Sequence, residues 1–422
     1  MTAEVTLTRP SRAVGPVLLG GVAAFSVYLS MYAFRKPFAA AAYGDVAGWT
    51  GLIDFKVALV IAQVVGYALS KLIGVKLISE LSGARRGAAI LGLIGASWLA
   101  LLLFAVVPAS WKVFALFLNG LPLGLIWGLV FSYLEGRRVS EVLGAILCAS
   151  FIIASGGVKS AAVWLMTAHA VSEWWMPAAT GALFMPLLAV SVLGLSRMPP
   201  PDAEDVAERV ERRPMFAVQR RAFLKQYGPG VLLLVLTYVM LTAFRDFRDN
   251  FAAEIWIELG YGGTSSVFTA SELPIAVVTL VALGALMLVR DNRRALMAVH
   301  ALTGFGLALI GLSTLAFQHG LLAPLPWMIA SGAGLYLAYT PFNAMLFDRL
   351  IAATRQVGTA GFLIYLADAS GYLGSVALTL GRNLASVSMP WLFFFMASAG
   401  WVSVIGCVLT IFSAVYFSSK MK

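Results

Sequence analysis

Charge is what this sequence has least of. Of 422 residues only 12% are Asp, Glu, Lys or Arg, against 60% apolar. Soluble domains carry about 25% charged residues, so this composition cannot build a water-facing shell. Histidine and cysteine are scarcer still, with three and two copies. His169, His300 and His319 lie near span ends or apart, without the partner spacing of metal ligation or a Ser–His dyad. That argues against a membrane enzyme, and no cofactor or metal is implied. His300, inside an apolar segment, reads as a packing residue with satisfied nitrogens. Cys148 and Cys407 lie far apart in apolar segments and read the same way. A cleavable signal is not expected: residues 1–12 are polar, and the stretch from Val14 to Tyr32 has no small-residue cleavage site bounding a short core.

What the chain does have is long apolar runs, enough to cross a hydrocarbon core of about 30 Å. Twelve spans are predicted, over 14–38, 54–75, 88–107, 112–134, 143–167, 175–196, 229–251, 266–289, 295–317, 324–347, 358–381 and 389–416. With alternating sides, most of the 30 Lys and Arg residues collect on one face of the membrane. They include Arg9 and Arg12, Lys71 to Arg86, Arg137-Arg138, the run from Arg197 to Lys225, Arg290 to Arg294, and Lys420. The positive-inside rule then puts both termini in the cytoplasm of a bacterial inner-membrane, multi-pass protein. The net charge of +10 is accounted for by these loops, and nucleic acid is not an expected partner. One long polar stretch, opening with Pro199-Pro200-Pro201, divides the chain into six-span halves. The expected division is 1–196, a cytoplasmic linker over 197–228, and 229–422.

The halves repeat each other. Ala33-Phe34-Arg35 recurs as Ala243-Phe244-Arg245, and Arg85-Arg86 as Arg293-Arg294. Asn119-Gly120 aligns with Ser331-Gly332, and Ala154-Ser155-Gly156 with Ala369-Ser370-Gly371. The order and near-constant offset of these matches indicate a duplicated bundle. The fold class expected is an all-α membrane protein of the major facilitator type: 12 transmembrane helices in two pseudo-symmetric six-helix bundles, with a site between them.

Charges inside the spans then carry the function. An arginine at hydrocarbon depth costs about 2.5–3.5 kcal/mol on insertion scales, so one kept there has a use. Arg35 ends the first span, with Tyr32 and Tyr28 one and two turns earlier on nearly the same face, which favours an inward polar stripe. If the helix stops at Pro37, Arg35 and Lys36 could instead snorkel outward, and for Lys36 both readings stay open. In Arg245-Asp246-Phe247-Arg248-Asp249-Asn250, Arg245 and Asp249 have the spacing of neutralising partners. Lys71 ends the second span and could snorkel. Lys159 lies too deep to do so easily. Glu272 precedes Pro274, and Asp368 lies mid-way along the eleventh span. A Lys159–Asp368 pair between the halves is a candidate, and Glu272 or Asp368 could serve proton coupling. The surplus is positive, and paired guanidiniums suit phosphate or carboxylate oxygens.

Several motifs resemble the organophosphate:phosphate antiporter branch of the major facilitator superfamily. Arg35-Lys36-Pro37-Phe38 is similar to its Arg-Lys-x-Phe in the first span, and Ser70-Lys71-Leu72-Ile73 to its Ser-Lys-Phe-Ile in the second. Ser79-Glu80-Leu81-Ser82-Gly83-Ala84-Arg85 resembles, shifted by one residue, the loop that forms the superfamily's cytoplasmic gate. The resemblance implies phosphate binding by Arg35 and Arg245, and places Lys71 at the family's second-span lysine and Glu272 at its eighth-span glutamate. It departs at the fifth span, where Ile153 and Ala154 precede Gly156-Gly157 in place of the family's histidine, with Lys159 about a turn away.

The expected function is alternating-access transport of a small phosphorylated or carboxylated anion by a monomer in the lipid bilayer, with phosphate or protons as candidate coupling ions. Substrate-binding candidates are Arg35, Arg245, Lys159, Lys71, Tyr32, Tyr28 and Lys36. Coupling or gating candidates are Glu272, Asp368, Glu80 and Arg85. The alternative is a proton-coupled transporter of a larger polar or zwitterionic molecule.

Overall fold

A computed structural model describes residues 14–44, 46–80, 83–134, 140–198, 217–354, 361–385 and 389–421. All regular structure among them is helical. The first half contains α1 (Val14–Arg35), α2 (Phe55–Glu80), α3 (Gly83–Val106), α4 (Ala109–Leu123), α5 (Ile126–Leu134), α6 (Ser140–His169) and α7 (Met176–Ser196). The second contains α8 (Ala217–Asn250), α9 (Ala252–Glu258), α10 (Ser266–Met287), α11 (Asn292–Gln318), α12 (Pro324–Pro341), α13 (Phe347–Ala353), α14 (Gly361–Ala385) and α15 (Trp391–Lys420). Among the described residues nine helices are long and apolar enough to cross a membrane. Helices α1 and α2 and the α12–α13 unit lie over the other expected spans, the first, second and tenth.

Two predicted spans are not continuous helices, and in both a proline sits at the break. The fourth is interrupted after Pro122, at Gly124 and Leu125, dividing α4 from α5. The tenth leaves α-helical geometry at Pro341 and passes through a π-helical turn over Phe342–Leu346 before α13. Proline lacks the N–H that would bond four residues back, and its ring crowds that carbonyl. Helix α8 also starts earlier than its predicted span, so its first turns fall in the segment assigned to the linker. Residues 199–216 lie outside the described residues.

The packing scheme is duplicated. Helix α1 packs on α6 and α7, as α8 packs on α14 and α15. Helix α2 packs on α4 as α10 does on α12, and α3 on α4 and α7 as α11 does on α12 and α15. Contacts between the halves repeat as well: α6 lies on α10, and α2 on α14. These are equivalent pairs once the fifth span is matched with the eleventh and the second with the eighth. Each half thus buries its own helices and offers two to the other.

Close approach between helices depends on missing side chains. A Cβ on Gly120 would stand 2.3 Å from the Gln63 carbonyl oxygen, and one on Gly66 the same distance from that of Phe117. With glycine at both places α2 and α4 come near enough for their polar groups to meet.

Candidate functional site

The end of α1 is built before its charges are placed. Pro37 cannot donate a backbone hydrogen bond, so the helix stops at Arg35 and a short 3-10 turn follows over Pro37–Ala40. That stop leaves carbonyls bare inside the protein. Asn119 Nδ2 donates to the Phe34 carbonyl at 2.9 Å, and Gln63 Nε2 to the Arg35 carbonyl at 2.8 Å. Gln63 also donates to Asn119 Oδ1 at 2.7 Å, while Asn119 reaches the Ser97 hydroxyl at 2.6 Å. The helix terminus is therefore fixed by side chains of α2, α3 and α4. Neither Arg35 nor Lys36 snorkels: both are buried, at 7% and 4% exposure.

Arg35 has an aromatic rather than an acidic environment. Its guanidinium lies 3.8 Å from the Tyr67 ring centre and 5.9 Å from that of Tyr32. The Tyr28 ring lies tilted beside Tyr32 with centres 5.5 Å apart, and Tyr372, from α14, meets Tyr67 at 5.8 Å. Among the described residues no carboxylate forms an ion pair with Arg35, and its Nε has no hydrogen-bond partner there. Cation–π contact stabilises a desolvated guanidinium by about 2 kcal/mol but leaves its charge uncancelled.

Arg245 occupies the repeated position in α8 with different company. It forms a fork on Asp246 Oδ1, at 2.7 Å from Nη2 and 3.1 Å from Nε, and donates to the Tyr339 hydroxyl. Tyr339 contacts the Tyr238 hydroxyl at 3.1 Å, and Tyr238 donates to Asp368 Oδ1 at 2.5 Å. Lys71 closes the chain on Asp368 Oδ2 at 2.8 Å and lies over the rings of Tyr67 and Tyr372. A continuous polar path thus runs from Arg245 to the tyrosines around Arg35. The two guanidiniums face one region between the halves.

The remaining ion pairs differ from their sequence-based expectations. Lys159 does not meet Asp368; Lys71, which does not snorkel, takes that carboxylate. Lys159 pairs with Asp249 Oδ1 at 2.5 Å, and Lys36 pairs with Asp249 Oδ2. Asp249 in turn is no partner of Arg245. The reason is positional: Asp246 adjoins Arg245, whereas Asp249 is directed to α1 and α6. Glu272 accepts from Arg248 Nη1 at 2.6 Å. Gly332 makes room there, since a Cβ would stand 2.8 Å from Arg248 Nη2. Arg85 is exposed at the start of α3. Glu80 ends α2, and its side chain lies outside the described residues.

Beside these pairs lies a small crevice, lined among others by Ser155, Lys159, Arg248, Asp249, Trp256 and Glu272. Further toward the start of α2, Lys56 pairs with Glu254 at 2.6 Å and Asp54 with Arg382 at 3.1 Å, both across the halves. Counting partners, positive charge is in excess at two points. Arg35 has no carboxylate among the described residues, and Asp249 serves two lysines.

Tyr67, Tyr372, Tyr238, Tyr339, Lys56 and Glu254 were not singled out by sequence reasoning. A signal existed for some. Tyr67 and Lys71 are spaced i,i+4, as are Asp368 and Tyr372, which puts each aromatic on the same helix face as a charge.

Three solved structures share the architecture. A bacterial homologue of the human peptide transporters PepT1 and PepT2 superposes with a TM-score of 0.62 at 14% identity, covering 94% of this chain and 98% of that one. A bacterial homologue of the human lysosomal transporter Spinster, inward-facing and unoccupied, gives 0.60 at 12%, covering 97% and 98%. The nucleoside transporter NupG gives 0.57 at 14%, covering 96% and 100%. These likenesses establish the major facilitator fold. No curated protein matches the chain. Residues 37–420 match the family of unknown function DUF5690, and the chain belongs to that family.

Proposed function

We propose that the protein is a secondary active transporter that moves a small anionic solute, phosphorylated or carboxylated, by alternating access between the two six-span halves. The observation that carries this reading is Arg35: a buried guanidinium with no carboxylate partner among the described residues, walled by tyrosines from both halves. Buried charges are ordinarily paired. One left open between two mobile halves is suited to an incoming anion, and phosphate and carboxylate both match a guanidinium's donor geometry. Arg245, held across the same region, and Lys71, Lys36 and Lys159 would complete a positive surface around the solute. The motif resemblance to the organophosphate:phosphate antiporters favours phosphate as coupling ion. The basic loops favour the cytoplasmic membrane with both termini inside, and the fold a monomer. Uptake of labelled phosphate or organic acid into proteoliposomes tests the reading. Arg35→Ala should abolish specific uptake while the protein remains folded, and unchanged uptake would reject the assignment.

A second reading rests on the Arg248–Glu272 pair. Arg248 Nε and Glu272 Oε2 are both buried without partners, beside the crevice that Trp256 and Phe268 help line. Unpartnered polar atoms on groups of opposite charge suit a zwitterionic solute, with Glu272 or Asp368 taking the coupled proton. Counterflow against internal phosphate supports the anion exchanger. Uptake driven by an imposed pH gradient supports the second reading.

A further inference from the structure

We infer that Asp249 is a built-in stand-in for the solute's anionic group: it occupies an oxyanion site made by Lys36, Lys159 and Ser155, and an entering carboxylate or phosphate displaces it. This deepens the proposed function and rests on it.

The site is assembled wholly from the first half and filled wholly from the second. Ser155 and Lys159 are one turn apart on α6, so both point the same way. Lys36 follows directly on α1, whose end is pinned by Asn119 and Gln63. Into this set α8 inserts one carboxylate. Lys159 and Ser155 both bind Oδ1, Lys36 binds Oδ2, and Lys159 also reaches the Asp249 backbone carbonyl. Both carboxylate oxygens are thus taken, as they would be in a bound carboxylate ligand. Lys36 is steadied from the side by Asn250 Oδ1 at 2.8 Å.

Two features separate this cluster from a structural ion pair. One carboxylate serves two ammonium groups, so the site retains positive charge with Asp249 in place. A small crevice lined by Ser155, Lys159 and Asp249 also borders the cluster, so the ion pairs adjoin open space rather than packed core. Leaving two desolvated ammonium groups bare is costly, whereas exchanging one oxyanion for another keeps them satisfied. Displacement also has a mechanical result. The Asp249 contacts tie α1 and α6 to α8, and a solute that replaces them releases the halves at this level. The differential affinity for the two arrangements is what a ligand needs to drive the conformational change.

The test uses the full-length purified protein and follows its melting temperature with inorganic phosphate or acetate, against chloride at equal ionic strength. Asp249→Ala should melt lower than the unmodified protein and recover by several degrees on adding either oxyanion, half-saturating at a concentration at least tenfold lower. Asp249→Asn preserves the side chain's volume if the alanine variant fails to fold, and should show the same tenfold gain in anion affinity. Adding Lys159→Met to either variant should remove the gain. Whichever of phosphate and acetate gives the larger shift names the solute's group. Equal or weaker anion binding by the Asp249 variants, or a gain that survives Lys159→Met, overturns the inference. If the unmodified protein binds anions through Arg35 and the Asp249 variants gain nothing, displacement alone falls. If no variant binds either anion, the proposed function falls with it.

Discussion

The two Ala-Phe-Arg segments occupy equivalent places, yet they solve opposite electrostatic problems. In the first half Pro37 stops α1 at Arg35, so the chain has no further α-helical turn on which to carry acids. Arg35 is left with π-faces. In the second half no proline intervenes, α8 continues to Asn250, and the added turn brings Asp246, Arg248 and Asp249. Arg245 is neutralised by its neighbour, and the extra acid is passed across to the first half's lysines. Duplication preserved the position of a guanidinium and let its charge balance diverge. A binding site for an anion needs one half to be short of acids, and a contact between halves needs the other to have acids to lend.

Removing each arginine should break this comparison most sharply. Arg245→Ala strips the partner from buried Asp246, whose Oδ2 already lacks a hydrogen bond, and should destabilise the protein by about 3–5 kcal/mol. Arg245→Gln combined with Asp246→Asn should recover most of that loss. Arg35→Ala removes a buried charge with no acid to orphan, so its melting temperature should hold or rise while anion binding disappears. Thermal melts of the three variants decide it. A loss of stability in Arg35→Ala as large as in Arg245→Ala would mean that Arg35 has a structural counter-charge after all.

The membrane architecture and the duplication were legible in the sequence because both depend on patterns along the chain: apolar length, basic loops, and repeated small-residue motifs. Many of the charged residues with buried roles were legible too, since an intramembrane charge is conspicuous, though Lys56 and Glu254, near span ends, were not. Their pairing was not. Lys159 and Asp368 lie in segments matched by the repeat, but one is directed to α8 and the other to α2. Spacing along one helix also misled: Asp249 sits i,i+4 from Arg245, yet adjacent Asp246 makes the fork and Asp249 turns to another helix. Tyr67, Tyr238, Tyr339 and Tyr372 were overlooked because aromatic residues are common in any apolar span, and only the neighbouring helix decides which of them lines a cation.

The Asn119 and Ser331 positions offer a smaller contrast. They are matched by the repeat, but Asn119 caps the terminus of α1 and bonds Ser97 and Gln63, whereas Ser331 makes only a long 3.4 Å contact with the Met328 carbonyl in its own helix. Asn119→Ala leaves the Phe34 carbonyl without its donor inside the protein and should cost about 1–3 kcal/mol. Ser331→Ala should cost less than about 1 kcal/mol, because the Met328 carbonyl still accepts from Arg248. Equal losses would show that the α1 terminus is held by something other than these side chains. Because Asn119 fixes the backbone from which Arg35 projects, its loss should also weaken anion binding, which Ser331→Ala should not.

The subtlest test concerns how closely the halves meet. Gly156 and Gly371 are matched glycines, one at the contact between the halves and one within its own bundle. A Cβ on Gly156 would stand 2.5 Å from the Phe268 carbonyl oxygen of α10 and 2.9 Å from the Glu272 Cβ, so α6 and α10 would have to part. A Cβ on Gly371 would meet only Thr242 side-chain atoms at 3.0 to 3.1 Å, which can yield by small rotation. Overpacking costs about 1–3 kcal/mol, partly offset by the roughly 1 kcal/mol that alanine gains over glycine in a helix. Gly156→Ala should therefore lose about 1 kcal/mol net, and Gly371→Ala should be near neutral. The more telling readout is conformational. Because only Gly156 lies between the halves, its alanine variant should raise the accessibility of a cysteine placed at Ser160 to a water-soluble thiol reagent, with Gly371→Ala giving no change. Equal labelling in both would mean that the α6–α10 contact is not where the halves separate.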